Sequence, residues 1–193
     1  LVAGIAASVL VQTSTTLEMQ ALKTGSQTVD QVASGIMIEG IEGYDDSSQS
    51  NPVVSRLAIE IKARAGSPDI DLSQTVVEIS DSDNKYVLEY NENNFTDSTA
   101  VDGAVLNSSY YPTDSSAQTK FGIIVLQDAD NSCESDNPVI NFGDHVILAV
   151  GNAFSGISPR TDIFGQVISE EGAPGIIGFR TPESYTEDIL ELQ

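Results

Sequence analysis

Two hydrophobic patterns divide the chain. Residues Leu1 to Val11 carry no charge, and Ser8 is their only polar side chain. Polar residues enter from Gln12, and no proline interrupts the run before Pro52. Leu10, Leu17, Leu22, Val29, Val32 and Ile36 recur at helical spacing, which predicts one helix over residues 1 to about 34 with Gly35 as its stop. At 1.5 Å per residue such a helix extends roughly 50 Å, far more than the core of a small domain needs. Beyond about Gly40 the period changes to two. Leu57, Ile59, Ile61 and Ala63 alternate with Ala58, Glu60, Lys62 and Arg64, the pattern of a half-buried strand.

The same alternation marks Val77–Ile79 and Tyr86–Tyr90, joined by the hairpin composition Asp81-Ser82-Asp83-Asn84. Further strands are predicted at Lys120–Gln127, His145–Val150, Asp162–Ile168 and Gly175–Arg180. Phe121, Ile123, Ile124, Val125 and Leu126 are apolar on both faces, which predicts a central strand. Polar loops are predicted at 44–52, 91–98, 107–116 and 128–138. The expected fold is α+β: an assembly helix over 1–35, then an outer domain over 36–193 built as an antiparallel β-sandwich or barrel of immunoglobulin-like type.

The helix carries a close-approach surface. Ala3/Ala7 and Gly4/Ser8 are small-xxx-small pairs, which let helix backbones come near one another. With Val11, Leu17 and Leu22 beside them, they point to burial against several neighbours, in a membrane or among copies of the chain. Residues 1–11 are too few to span a bilayer by themselves, for which about 20 apolar residues are needed. A secretory signal peptide fits poorly: no basic residue precedes Lys23, and the helical pattern runs on without a cleavage site. The first residue is Leu rather than Met, so something upstream is expected to have been processed, removed or left out.

Charge narrows the partners. Against 8 Lys and Arg stand 29 Asp and Glu, a formal charge of −21. Nucleic-acid binding needs clustered cations and is excluded on that ground, and anionic headgroups are disfavoured. So acidic a surface repels itself unless salt screens it, which suits a saline setting. The one cysteine, Cys133, rules out a disulfide within the chain. His145, the one histidine, stands beside Asp144, but no G-x-S-x-G accompanies it; CxxC, HExxH and a phosphate loop are also lacking. No enzyme, no cofactor and no small-molecule substrate are expected.

Two other motifs carry chemistry. Asn94-Phe95-Thr96 and Asn107-Ser108-Ser109 are N-glycosylation sequons. Asp128-Ala129-Asp130-Asn131-Ser132 alternates oxygen ligands as a calcium loop does. It is not an EF-hand, because Cys133 stands where that loop needs Gly and Val139 where it needs Glu. Two readings stay open: an acidic turn solvated by water, or a different calcium site over Asp128 and Asp130, completed by Asp136 or Asp144. Asp81 and Asp83 read as a hairpin turn.

The wording of the two ends resembles one family. LVAGIAASVLVQTSTTLEMQALKTG (1–25) and QVASGI (31–36) resemble the N-terminal helix of archaellins, the flagellins of the archaeal flagellum. IDLSQ (70–74) is similar to a strand start in that family's outer domain, and SPRT (158–161) with EEGAPGIIGFRTP (170–182) resembles its C-terminal segment. The resemblance implies a type IV pilin-like subunit, held in the membrane before assembly and then polymerised with itself and with paralogous archaellins. It implies an extracellular archaellum filament, rotated by a motor for swimming, with helices inside and outer domains outside. Such proteins are commonly N-glycosylated, and some carry a metal in the outer domain. An adhesion pilin, or a membrane-anchored surface domain acting alone, stays open at this point.

Overall fold

The computed structural model describes residues 2–45, 52–101, 104–106 and 109–193; side chains at 2, 27, 29–33 and 114 are outside the described set. One helix, α1, runs Val2–Ala33. Twelve strands follow: β1 (Ile36–Asp45), β2 (Val54–Ala63), β3 (Ile70–Asp71), β4 (Val76–Ser80), β5 (Lys85–Asp97), β6 (Lys120–Gln127), β7 (Cys133–Glu134), β8 (Asn137–Ile140), β9 (His145–Val150), β10 (Asp162–Ile168), β11 (Gly175–Arg180) and β12 (Ile189–Glu191). The last four long strands match the alternation read from sequence.

Gly35 ends the helix for a steric reason. Its φ is +136°, and a Cβ there would lie 2.2 Å from the Ala173 carbonyl oxygen. Only a residue without a side chain fits that gap. Ile36, expected on the helical stripe, is therefore the first residue of β1. Its side chain is fully buried in the sheet domain and its N–H donates to Ala173 O at 3.2 Å.

Nine strands share one hydrogen-bonded order, β11-β10-β4-β5-β6-β9-β2-β1-β12, while β3, β8 and β7 make a small second sheet. Pairing is antiparallel except between β5 and β6. Strands from the whole order send side chains into a single core, including Ile36, Leu57, Ile79, Leu88, Phe121, Leu148, Ile163 and Ile177. A sheet with one inner face common to all its strands has curled round into a barrel. The seam joins the two ends of the order. Gly35 bridges Ala173 ahead of β11, and Gln193 beyond β12 accepts from Gly178 N–H at 2.8 Å and donates to Ile176 O at 3.1 Å. The mostly antiparallel sheet was expected; the pairing does not supply the two separate large sheets of an immunoglobulin-like sandwich.

β6 is central, between β5 and β9, as its two apolar faces predict. Phe121, Ile123 and Val125 point into the barrel. Ile124 points outward and is covered, with Ala58, Ile147 and Ala149, by Leu106 and Tyr111 from the long β5–β6 connection. A parallel pair requires such a crossover, and here it doubles as a lid on the outer face.

Candidate functional site

Among the described residues, the N-terminal helix is the element that stays outside the core. Every described side chain from Ala3 to Ser26 is exposed. Seven of these are large and apolar: Ile5, Val9, Leu10, Val11, Leu17, Met19 and Leu22. At 3.6 residues per turn they face in several directions round the axis. A helix apolar on all sides is one that gets buried on all sides. Ala3, Gly4, Ala7 and Ser8 lie among them, and a Cβ built on Gly4 would touch nothing.

The threonines of α1 are prepared for a dry neighbourhood. Thr13, Thr15, Thr16, Thr24 and Thr28 each donate the hydroxyl to the carbonyl four residues earlier, at 2.7–2.9 Å. A hydroxyl satisfied within its own helix costs little when water is removed. Sequence inspection passed over these residues as polar; the signal was their placement in a helix, where the i−4 carbonyl is always within reach. Among the described residues no helix is long and apolar enough to cross a membrane.

The helix is anchored to the barrel through a short neck. Gly35 N–H donates to Ser67 Oγ at 3.0 Å, and Gly35 O accepts from Arg64 N–H at 2.9 Å. Ser34 O accepts from Ala173 N–H at 2.9 Å. The residue that ends the helix is thus clamped between the β2–β3 connection and the segment entering β11.

The acidic loop gathers as its spacing suggested. Asp128, Asp130 and Asp144 place one carboxylate oxygen each within 4.8 Å of the others. Asp144, rather than Asp136, is the third member. It is 2% exposed and its Oδ2 accepts from Asn141 N–H at 2.9 Å. Asp128 accepts from Cys133 N–H at 3.0 Å, and Asp130 from Asn141 Nδ2 at 2.7 Å. The Asn141 and Ser132 hydrogen bonds hold the Asp130 carboxyl below the usual carboxylate range. Burial first, and then the negative Asp128 and Asp144, push the Cys133 thiol up to about 12, so it is inert at neutral pH. The donor set is three carboxyl groups and so all oxygen, which fits a hard divalent cation.

Of the two sequons, Asn107 lies outside the described residues. Asn94 lies in a bulge of β5. Between Tyr90 and Phe95 that strand advances five residues while β6 advances two, from Phe121 to Ile123. The region expected as a loop at 91–98 is therefore strand through Asp97, with extra residues looping out. Asn94 Oδ1 accepts from Asn91 Nδ2 at 2.5 Å, and Thr96 is buried. Gly122 makes room for the bulge, since a Cβ there would lie 2.5 Å from Asn94 O.

His145 opens β9, with its Nε2 3.7 Å from Glu60 Oε2. The Asp81–Asn84 segment is the turn between β4 and β5: Asp81 Oδ1 accepts from Asp83 and Asn84 N–H.

Comparisons with known proteins agree with this arrangement. The family model for archaeal-type flagellin matches residues 1–179. Flagellin B2 of Methanocaldococcus jannaschii is 45% identical over 197 residues, covering 100% of this chain and 88% of that protein. Flagellin B3 of Thermococcus kodakarensis is 37% identical, covering 100% and 92%. Among solved structures, the crystal structure of archaeal flagellin FlaB1 from M. jannaschii superposes with a TM-score of 0.67 at 33% identity, over 83% of this chain and 98% of that one. The archaeal flagellum of Methanospirillum hungatei shares the fold, with a TM-score of 0.61 at 12% identity, over 99% of this chain and 90% of that one.

Proposed function

The chain belongs to the archaeal-type flagellin family, and from that membership we propose that residues 1–35 are the polymerising element and residues 36–193 the outer domain of the subunit. The protein is a structural subunit of the archaeal flagellar filament at the cell surface and not an enzyme; its partners are copies of itself and paralogous flagellins.

The observation that carries the assignment of α1 is its exposure: seven large apolar side chains, each more than half in water. Burying one such side chain yields about 1.5–3 kcal/mol. Seven make on the order of 10 kcal/mol of gross driving force per subunit, ample for association after the entropic cost of binding. Before assembly the same apolar start rests in the membrane, which shields it from water.

Two further proposals concern the outer domain. The acidic loop holds a calcium ion through Asp128, Asp130 and Asp144, and the ion neutralises three carboxylates that otherwise repel one another. Calcium is expected to raise the melting midpoint of the wild-type domain and EDTA to lower it, with the response lost in Asp130→Asn. A midpoint indifferent to both additions would refute the site.

Asn94 and Asn107 carry N-glycans. Because Thr96 is buried once β5 is paired, modification of Asn94 must precede folding of that strand. Intact mass of the native protein is expected to exceed that of the polypeptide by two glycan increments, and Asn94→Gln to remove one. A mass equal to that of the unmodified chain rules both out.

A further inference from the structure

Among the described residues, one outer strip of the barrel combines exposed apolar side chains with paired charges. It runs across β11, β10, β4, the first half of β5 (85–90) and the start of β6 at Lys120. Outward residues there align in register: Ile176 with Gln166, Glu78 and Val87, and Gly178 with Phe164, Ser80 and Lys85. Phe164 is 57% exposed, Ile176 62%, Val87 48% and Ile168 36%. Four exposed large apolar side chains thus share one face of neighbouring strands, with Gln166 and Glu78 between Ile176 and Val87, a concentration of the kind that marks a protein contact.

Its charge is also unusual. The strip carries Glu78, Glu89 and Asp162 against Lys85, Lys120 and Arg180, all paired with one another: Lys85–Glu78 at 3.1 Å, Lys120–Glu89 at 3.0 Å and Arg180–Asp162 at 3.5 Å. Three of the chain's 8 cations and only three of its 29 acids lie here, so the strip is neutral on a molecule of charge −21. The outer face of β1, β2 and β12 shows the contrast. There the Glu42 carboxyl is held above the ordinary carboxylate range, by burial first and then by Glu60 and Glu191.

We propose that this strip is the seat of the outer domain of a second copy of the chain within the filament, a proposal that rests on the filament reading above. Two copies at −21 repel wherever acidic surfaces meet. A neutral apolar strip is ground on which a neighbouring copy approaches without that penalty. A polyanion gains no attraction there, and a cationic partner is drawn to the acidic remainder instead. Self-assembly already brings identical copies side by side, and a contact between this strip and a different surface of the neighbour is heterologous, the type that propagates along a helix.

The test uses filaments of the full chain. A photo-crosslinking phenylalanine analogue at position 164 is expected to yield chain-to-chain adducts in assembled filaments and none in dispersed subunits. Phe164→Asp with Ile176→Asp is expected to leave the domain's melting midpoint near wild type and to raise the critical concentration for assembly on the order of tenfold or more. Wild-type assembly by the double variant, or adducts formed only with another protein or with lipid, overturns the proposal. If the domain of the double variant does not fold, the crosslink decides alone. Wild-type chain that never polymerises sinks the filament reading itself; wild-type filaments with no adduct at position 164 sink only the strip.

Discussion

An Ala7→Asp, Val11→Asp double variant is expected to form no filaments, while its outer domain melts at the wild-type midpoint. Both side chains lie on the exposed first third of α1. Among helices packed together, each subunit would bury two carboxylates without partners, at several kcal/mol per ion. That penalty cancels most of the roughly 10 kcal/mol gained by burying the seven large apolar side chains. It also recurs in every subunit, so the polymer has no register that avoids it. The barrel feels none of this, because no described side chain from Ala3 to Ser26 is buried against it. Electron microscopy with thermal unfolding of the same sample checks both halves. The variant tests the precursor state as well. Unassembled wild-type subunits are expected to float with membranes and the variant to remain in the soluble fraction, since Asp within a bilayer costs about 2.5–3.5 kcal/mol. Normal filaments from this variant would remove α1 from the assembly mechanism.

Four strands were legible because turn residues bound each and its apolar pattern is local. Lys120–Gln127, His145–Val150, Asp162–Ile168 and Gly175–Arg180 emerge with the bounds their alternation and turns predict. The acidic triad was legible for a related reason. Asp128 and Asp130 sit on one turn, and Asp144 sits at the entry to β9, hydrogen-bonded at 3.4 Å to the N–H of Ala129. What escaped is non-local. β1 hides because its inward set changes parity at the irregularity between Ile38 and Gly40, so its apolar residues do not alternate. The second half of β5 hides because Asn91, Asn93 and Asn94 read as turn residues, and only the facing β6 reveals them as a bulge. The closure through Ala173 and Gln193 leaves no trace at sequence distances a period can sense. The helix itself was read correctly as an extension, and one glycine decided where it stops.

Phe121→Ala is the complementary experiment, and its expected effect falls on the barrel alone. Phe121 is fully buried on β6, with its ring centroid 6.1 Å from that of Tyr90. Truncating a buried phenylalanine costs about 3–5 kcal/mol, from lost transfer energy and from the cavity left behind. Relaxation offers little relief here. Gly122 beside it is wedged against the β5 bulge, and β6 is held between β5 and β9. For a domain of this size each kcal/mol lowers the midpoint by about 2–4 °C, so a fall of roughly 6–20 °C is expected by calorimetry. Phe164→Ala, on the outer face, is expected to move the same midpoint by less than about 0.5 kcal/mol in equivalent stability, because its ring already lies 57% in water. Two phenylalanines of one curled sheet therefore separate two jobs. The inward one sets whether the domain holds its shape, and the outward one bears on how that shape meets its neighbour. Equal destabilisation by the two truncations would mean that the sheet's inner and outer faces have been assigned the wrong way round.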